Sequence, residues 1–172
     1  MAAVAIQLND DVDSLELAVA PTAKLQKCVL LIEDNEDAMW LVKYAIEDYG
    51  RGRYRLAWAS SLIDGLEQMS RSAIDSILLD LGLPETSGAE SYAWIRQIAP
   101  KTPVVVLTSD ERQETEFAVT ASGAEGYLIK DQVSGSLLLE TIRTALYKAQ
   151  KRQHPHDIIT NLFSPRFQED FS

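Results

Sequence analysis

The stretch Lys27-Cys28-Val29-Leu30-Leu31-Ile32-Glu33-Asp34-Asn35 decides the architecture. Cys28 to Ile32 is a short unbroken apolar run, as a strand buried on both of its faces would be. The run ends abruptly on two acids and an asparagine. Residues 36–48 then carry Ala38, Leu41, Val42, Ala45 and Ile46 at helical spacing, with Asp34 or Asn35 as a cap. A buried strand, a polar break and an amphipathic helix form one β–α unit.

The unit recurs along the chain. Tyr54 to Ala59 alternates and reads as a second strand, followed by a helix marked by Leu62, Leu66 and Met69. Ser76-Ile77-Leu78-Leu79 reads as a third strand, closed by Asp80. Ser87 caps a third helix whose inner face holds Tyr92, Ile95 and Ile98. Pro103 to Leu107 is a fourth strand, and 111–122 a helix of weaker pattern. Gly126 to Ile129 is a fifth strand. Residues 135–150 form the best-patterned helix, with Leu138, Ile142, Ala145 and Ala149 on one side. Five strands alternating with five helices predict an α/β fold, a parallel sheet with helices on both faces. The length permits an open sheet and not an eight-stranded barrel.

Composition narrows the function classes. Sixteen basic residues against twenty-six acidic ones give a net charge of −10, which argues against nucleic acid and anionic membranes as partners. No apolar stretch approaches the roughly 20 residues that span a bilayer, and the first residues lack the basic start of a secretory signal. A single cysteine, Cys28, allows no internal disulfide. The expectation is a cytoplasmic protein.

Open parallel sheets place their sites beyond the carboxyl ends of the strands. Strand 1 ends in Glu33 and Asp34, strand 3 in Asp80, strand 4 in Thr108 and strand 5 in Lys130, whereas strand 2 ends in Ala59 and Ser60. Each residue alone has an ordinary explanation: a helix cap, a strand-end threonine, a solvated lysine. Three acids, a hydroxyl and a lysine at one edge are harder to obtain by chance. If strands 1 and 3 are neighbours, about 5 Å apart, their carboxylates converge and repel unless a cation joins them. An all-oxygen ligand set suits Mg²⁺, and with a lysine and a hydroxyl it suits phosphoryl transfer. A carboxylate such as Asp80 can act as the nucleophile.

Four segments, taken in order, resemble the receiver domain of two-component response regulators. They are Val29-Leu30-Leu31-Ile32-Glu33-Asp34-Asn35-Glu36-Asp37, Leu78-Leu79-Asp80-Leu81-Gly82-Leu83-Pro84, Val104-Val105-Val106-Leu107-Thr108-Ser109 and Tyr127-Leu128-Ile129-Lys130. The resemblance covers about residues 26–150. It implies a doubly wound, flavodoxin-like sheet of five strands in the order 2-1-3-4-5. It implies Asp80 as phosphoacceptor, and Mg²⁺ held by Glu33, Asp34, Asp80 and the backbone carbonyl of Gly82. Thr108 and Lys130 are then the groups that meet the phosphoryl oxygens, and Tyr127 the aromatic switch that follows Thr108. A sensor histidine kinase or histidine phosphotransfer protein is the implied donor, and helix 4, strand 5 and helix 5 the implied output surface, through which a homodimer could form. The family often has proline after the lysine; here Asp131 follows, which puts the shape of that loop in question.

The ends of the chain read differently. Residues 1–25 form an acidic extension with Asp10, Asp11, Asp13 and Glu16, and alternating Val4, Ile6 and Leu8 as a candidate short strand. Residues 151–172 read as a tail with no effector domain. Pro155 and Pro165 break it, His154 and His156 are read as solvated, and Ile158, Ile159, Leu162, Phe163, Phe167 and Phe171 are suited to docking. Rival readings meet obstacles in the residues themselves. A haloacid-dehalogenase-type hydrolase needs an acid two residues after the nucleophile, where Gly82 stands. A P-loop needs Lys-Ser/Thr after its glycines, and none follows Gly88. A receiver-like adaptor, or a phosphorelay intermediate working mainly by dimerisation or docking, remains the alternative.

Overall fold

In the computed structural model, residues 26–109 and 111–153 are described. The elements run β1 Lys27–Ile32, α1 Glu36–Gly50, β2 Tyr54–Ala59, α2 Leu62–Arg71, β3 Ser76–Leu79, α3 Gly88–Ile98, β4 Val104–Thr108, α4 Gln113–Ala121, β5 Gly126–Ile129 and α5 Gly135–Gln153. The candidate N-terminal strand and the tail's histidines and apolar residues lie outside the described residues.

All neighbouring strands pair in parallel, in the order β2-β1-β3-β4-β5. The two-sided burial expected of β1 follows directly. Val29 and Leu31 face α1 and α5, packing with Val42, Ile46, Leu138 and Ile142. Leu30 and Ile32 face the other way, packing with Leu62, Tyr92 and Ile95 of α2 and α3. Each face of the sheet thus has its own core. The fold is the doubly wound one that the sequence predicts.

Local signals set most helix starts. Asn35 Oδ1 accepts from Ala38 N (3.0 Å), and Ser61 Oγ from Asp64 N (3.1 Å). At α3, the Glu90 carboxylate accepts from both Ser87 N and Ser87 Oγ, which holds its pKa below the ordinary range.

Several expectations need correction. Leu41 and Ile98 are exposed rather than inward, and Met39, outside the expected set, is buried. β4 begins at Val104, not Pro103, because proline has no N–H for the ladder; the Pro103 carbonyl still accepts from Ile77 N (2.9 Å). α4 is shorter than 111–122, and only Val119 of it is buried. α5 passes residue 150 and runs to Gln153. There Arg152 reaches the buried Glu125, which also accepts from Val104 N (2.6 Å) and lies 3.6 Å from Arg96. A 3₁₀ turn, Lys130–Gln132, follows β5, where the sequence pattern carries no sign of one. No helix among the described residues is long and apolar enough to cross a membrane.

The loop after β3 is held against α3 through Gly88. A Cβ there would fall 2.6 Å from Leu81 Cβ and 3.0 Å from the Leu81 carbonyl oxygen. Gly88→Ala should therefore push the backbone beside Asp80 and destabilise the fold by roughly 1–3 kcal/mol. Urea unfolding would measure it; an unchanged midpoint would show that the loop yields freely.

Candidate functional site: an acidic cleft at the carboxyl edge of the sheet

The strand register builds the site. Ile32 pairs with Leu79 and Thr108 with Ile129, so Glu33, Asp80 and Lys130 each begin one step beyond a paired position. The hydrogen-bond ladder continues through the first two of these. Glu33 N donates to Ala59 O (3.0 Å), and Asp80 N donates to Ile32 O (3.0 Å). Both acids therefore leave from a fixed backbone. On the far side of β1, the Trp58 indole Nε1 donates to the Glu33 carbonyl (2.8 Å).

Glu33, Asp34 and Asp80 present carboxylate oxygens that all lie within 4.8 Å of one another. Lys130 Nζ sits between two of them, 2.7 Å from Asp80 Oδ2 and 2.6 Å from Glu33 Oε2. The lysine donates a directed hydrogen bond to Asp80. Its contact with Glu33 is an ion pair off the line of a hydrogen bond, so the buried Oε2 has no well-directed donor. The other Glu33 oxygen accepts from Asn35 N (3.3 Å). Gly82 N donates to Asp80 Oδ1 (2.9 Å), and a Cβ at Gly82 would crowd that carboxylate at 3.3 Å.

Electrostatics here are governed by burial. Glu33 is 1% exposed, and desolvation pushes its pKa above the ordinary glutamate range; Lys130 opposes this and the charge of Asp80 reinforces it. For Lys130, burial alone would lower the pKa, but its contacts with Asp80 and Glu33 reverse that and hold it above the usual lysine value. Asp34 is exposed, on the solvent side of the cluster.

The cleft above the acids has a volume of about 760 Å³. It is lined by every polar strand-end residue singled out in the sequence: Glu33, Asp34, Asp80, Thr108 and Lys130. Gly82 lines it as well. Thr108 is 2% exposed at the end of β4. Tyr127 is half-buried in β5 and packs against the core on the α2–α3 side. Asp131 lines a neighbouring cavity between α1 and α5 and not the acidic cleft. Two contributors were missed. Trp58 sits on the one strand whose end carries no functional group, and Arg112 lines the cleft from the turn before α4. Nothing in either position's local pattern marks it, because each reaches the site through tertiary packing.

The donor set fits Mg²⁺: three carboxylates, all oxygen, one with a buried oxygen short of a directed partner.

The profile described as "Response regulator receiver domain" matches residues 29–143. This chain belongs to the response-regulator receiver family. The polar-differentiation response regulator DivK of Brucella ovis is 31% identical over 124 residues, covering 71% of this chain and 98% of that protein. The autoinducer 2 sensor kinase/phosphatase LuxQ of Vibrio harveyi is 33% identical over 103 residues, but the chain spans only 12% of its length. The alginate biosynthesis transcriptional regulatory protein AlgB of Pseudomonas aeruginosa is 32% identical over 109 residues, 24% of that protein. The crystal structure of a receiver domain from Clostridium thermocellum superposes with a TM-score of 0.64 at 25% identity, covering 72% of this chain and 97% of the other. A CheY-like receiver from Methanospirillum hungatei shares the fold with a TM-score of 0.66 at 23% identity, covering 74% and 99%.

The raised pKa of Glu33 has a definite sign in the receiver without divalent ions. The native state binds the Glu33 proton more tightly than the unfolded chain does. Its contribution to stability is therefore greatest at low pH and is lost as pH rises through the folded pKa. With divalent ions chelated, urea midpoints of the wild type should fall more steeply than those of Glu33→Gln as the pH rises above the ordinary glutamate range. Parallel slopes would remove Glu33 as the group responsible.

Proposed function

We propose that this receiver accepts a phosphoryl group on Asp80 from the phosphohistidine of a sensor histidine kinase or a histidine phosphotransfer protein, and signals by a change of shape. The observation that carries this reading is the convergence of Glu33, Asp34 and Asp80 around Lys130 at the mouth of an open cleft. A carboxylate oxygen of Asp80 attacks phosphorus, the P–N bond to histidine breaks, and the imidazole nitrogen leaves with the bonding pair. Glu33, Asp34, Asp80 and the Gly82 carbonyl are the groups proposed to hold Mg²⁺, which supplies charge neutralisation for the transferring phosphoryl oxygens. Lys130, already paired with Asp80, adds a fixed positive charge. The Gly82 N–H orients the Asp80 carboxylate.

Once formed, the aspartyl phosphate adds close to two negative charges and three strong acceptors. Thr108, at the end of β4, offers a hydroxyl to them, and Tyr127 on the adjoining strand is the group proposed to respond to it. β4 and β5 pair directly, Val106 with Tyr127, which supports a relay toward α4, β5 and α5. Exposed Phe117 on α4 and Tyr147 on α5 suit that face to a partner or a second copy. The receiver body is assigned to residues 26–153, through the end of α5.

Incubation with acetyl phosphate followed by intact-mass measurement should show a Mg²⁺-dependent gain of one phosphoryl group. Asp80→Asn should abolish the gain, and Lys130→Met should reduce it by about tenfold or more, the size of one lost charge-assisted contact. Absence of any gain in a wild type that binds Mg²⁺ would overturn the reading in favour of a receiver-shaped adaptor.

A further inference from the structure

A second charged cavity lies behind the sheet edge, away from the acidic cleft. Its volume is about 430 Å³, and its walls include Tyr49, Arg51, Arg53, Tyr54, Glu140 and Arg143. Three arginines against one glutamate make a positive pocket on a chain whose net charge is −10. Glu140 approaches only Arg143, at 4.0 Å, and among the described residues neither Arg51 nor Arg53 enters an ion pair. Two tyrosines give the pocket an apolar wall beside the charge, as specific ligand sites combine them.

The backbone gives a second indication. Arg51 ends α1 with φ 50 and ψ 43, in the left-handed region, and Gly52 follows with φ 69. The first of these positions favours glycine or asparagine. Arg51 is the only non-glycine residue with positive φ among the described residues. A strained position filled by a bulky cation points to use of the side chain rather than to the needs of the turn.

The described chain begins at this pocket. The Gln26 side chain donates to Gly52 O (3.1 Å), and Lys27 N donates to Arg53 O (2.8 Å). The segment before Gln26 is therefore tethered at the rim of the arginine cavity. That segment holds Asp10, Asp11, Asp13 and Glu16 and no basic residue before Lys24. Residues 17–25, which join Glu16 to Gln26, span up to roughly 30 Å when extended.

We infer that the acidic stretch Asp10–Glu16 of this same chain docks in the cavity formed by Arg51, Arg53 and Arg143. Opposite charge favours the contact, and the short tether gives a high effective concentration that an independent acidic peptide lacks. Carboxylates match the planar donors of guanidinium groups. Leu15 and Leu17, interleaved with the acids, suit the Tyr49–Tyr54 wall. Docked, the stretch covers the outer side of the α1–α5 layer and leaves the acidic cleft open.

The test is a paramagnetic label on the full chain. Cys28 is buried, so a nitroxide on Ser14→Cys labels one site. Amide signals of residues 49–54 and 139–143 should lose intensity at low salt. They should recover near 1 M salt, where screening shortens to about 3 Å. They should also recover in Asp10→Asn/Asp11→Asn/Asp13→Asn/Glu16→Gln, which leaves the described body untouched. Arg51→Gly combined with Arg53→Gln and Arg143→Gln should release the label as well. Arg51→Gly alone should weaken the broadening while leaving the melting temperature equal or higher, because it removes the positive-φ strain. Absence of broadening, or broadening that survives neutralisation of the four acids, would overturn the proposal. Broadening seen only between a labelled and an isotope-enriched copy in a mixed sample would also overturn it, giving the pocket to a second chain.

Discussion

Two buried carboxylates and one ammonium group meet at the end of three parallel strands, and most of the molecule can be understood as the means of holding them there. Without Lys130, Glu33 and Asp80 would face each other with one backbone N–H apiece and no counter-charge, and like charges that close are costly in a poorly solvated site. The lysine cannot satisfy all of this. One directed bond goes to Asp80, and the buried Oε2 of Glu33 is left with an ion pair alone. The site is neutralised only in part, which is a sensible condition for a place that exchanges cations and accepts further negative charge.

The sheet makes this arrangement cheap in conformational terms. Each acid follows directly from a ladder hydrogen bond, so its backbone is ordered by the fold rather than by the site. The central strands are covered on both faces by separate cores, and the sheet has little freedom to let the strand ends drift. At the opposite edge, Glu125 binds the start of β4, α3 and the last turn of α5 together. The carboxyl edge is polar and cation-ready; the amino edge is closed by a satisfied buried acid.

Much of this was legible in the chain. The unbroken run Cys28–Ile32 announces a two-sided strand, and the residues that end strands 1, 3, 4 and 5 are those that line the cleft. What was not legible has physical reasons. Leu41 shares helical spacing with Ala45 but points away from the face that Met39, Val42 and Ile46 bury, and Ile98 is the last residue of α3. α4 buries one residue, so periodicity had little to report. The 3₁₀ turn at Lys130–Gln132 depends on the chain turning from β5 into α5, a tertiary demand without a local signature. Trp58 and Arg112 enter the site from elements whose sequences carry no site signal. The left-handed Arg51 is invisible for the opposite reason: propensity argues against it.

The indole of Trp58 donates to the backbone carbonyl of the residue that carries the buried acid. Indole emission responds to the field and the hydrogen bonding around its N–H. This tryptophan is thus placed as an intrinsic optical probe, hydrogen-bonded to the peptide unit of the buried acid without being part of the chemistry. The other two tryptophans, Trp40 and Trp94, are each more than half exposed and emit as solvated side chains. A blue-edge signal would then report on the site while the red edge reports on the surface, and the protein's own colour would separate events at its centre from events on its skin.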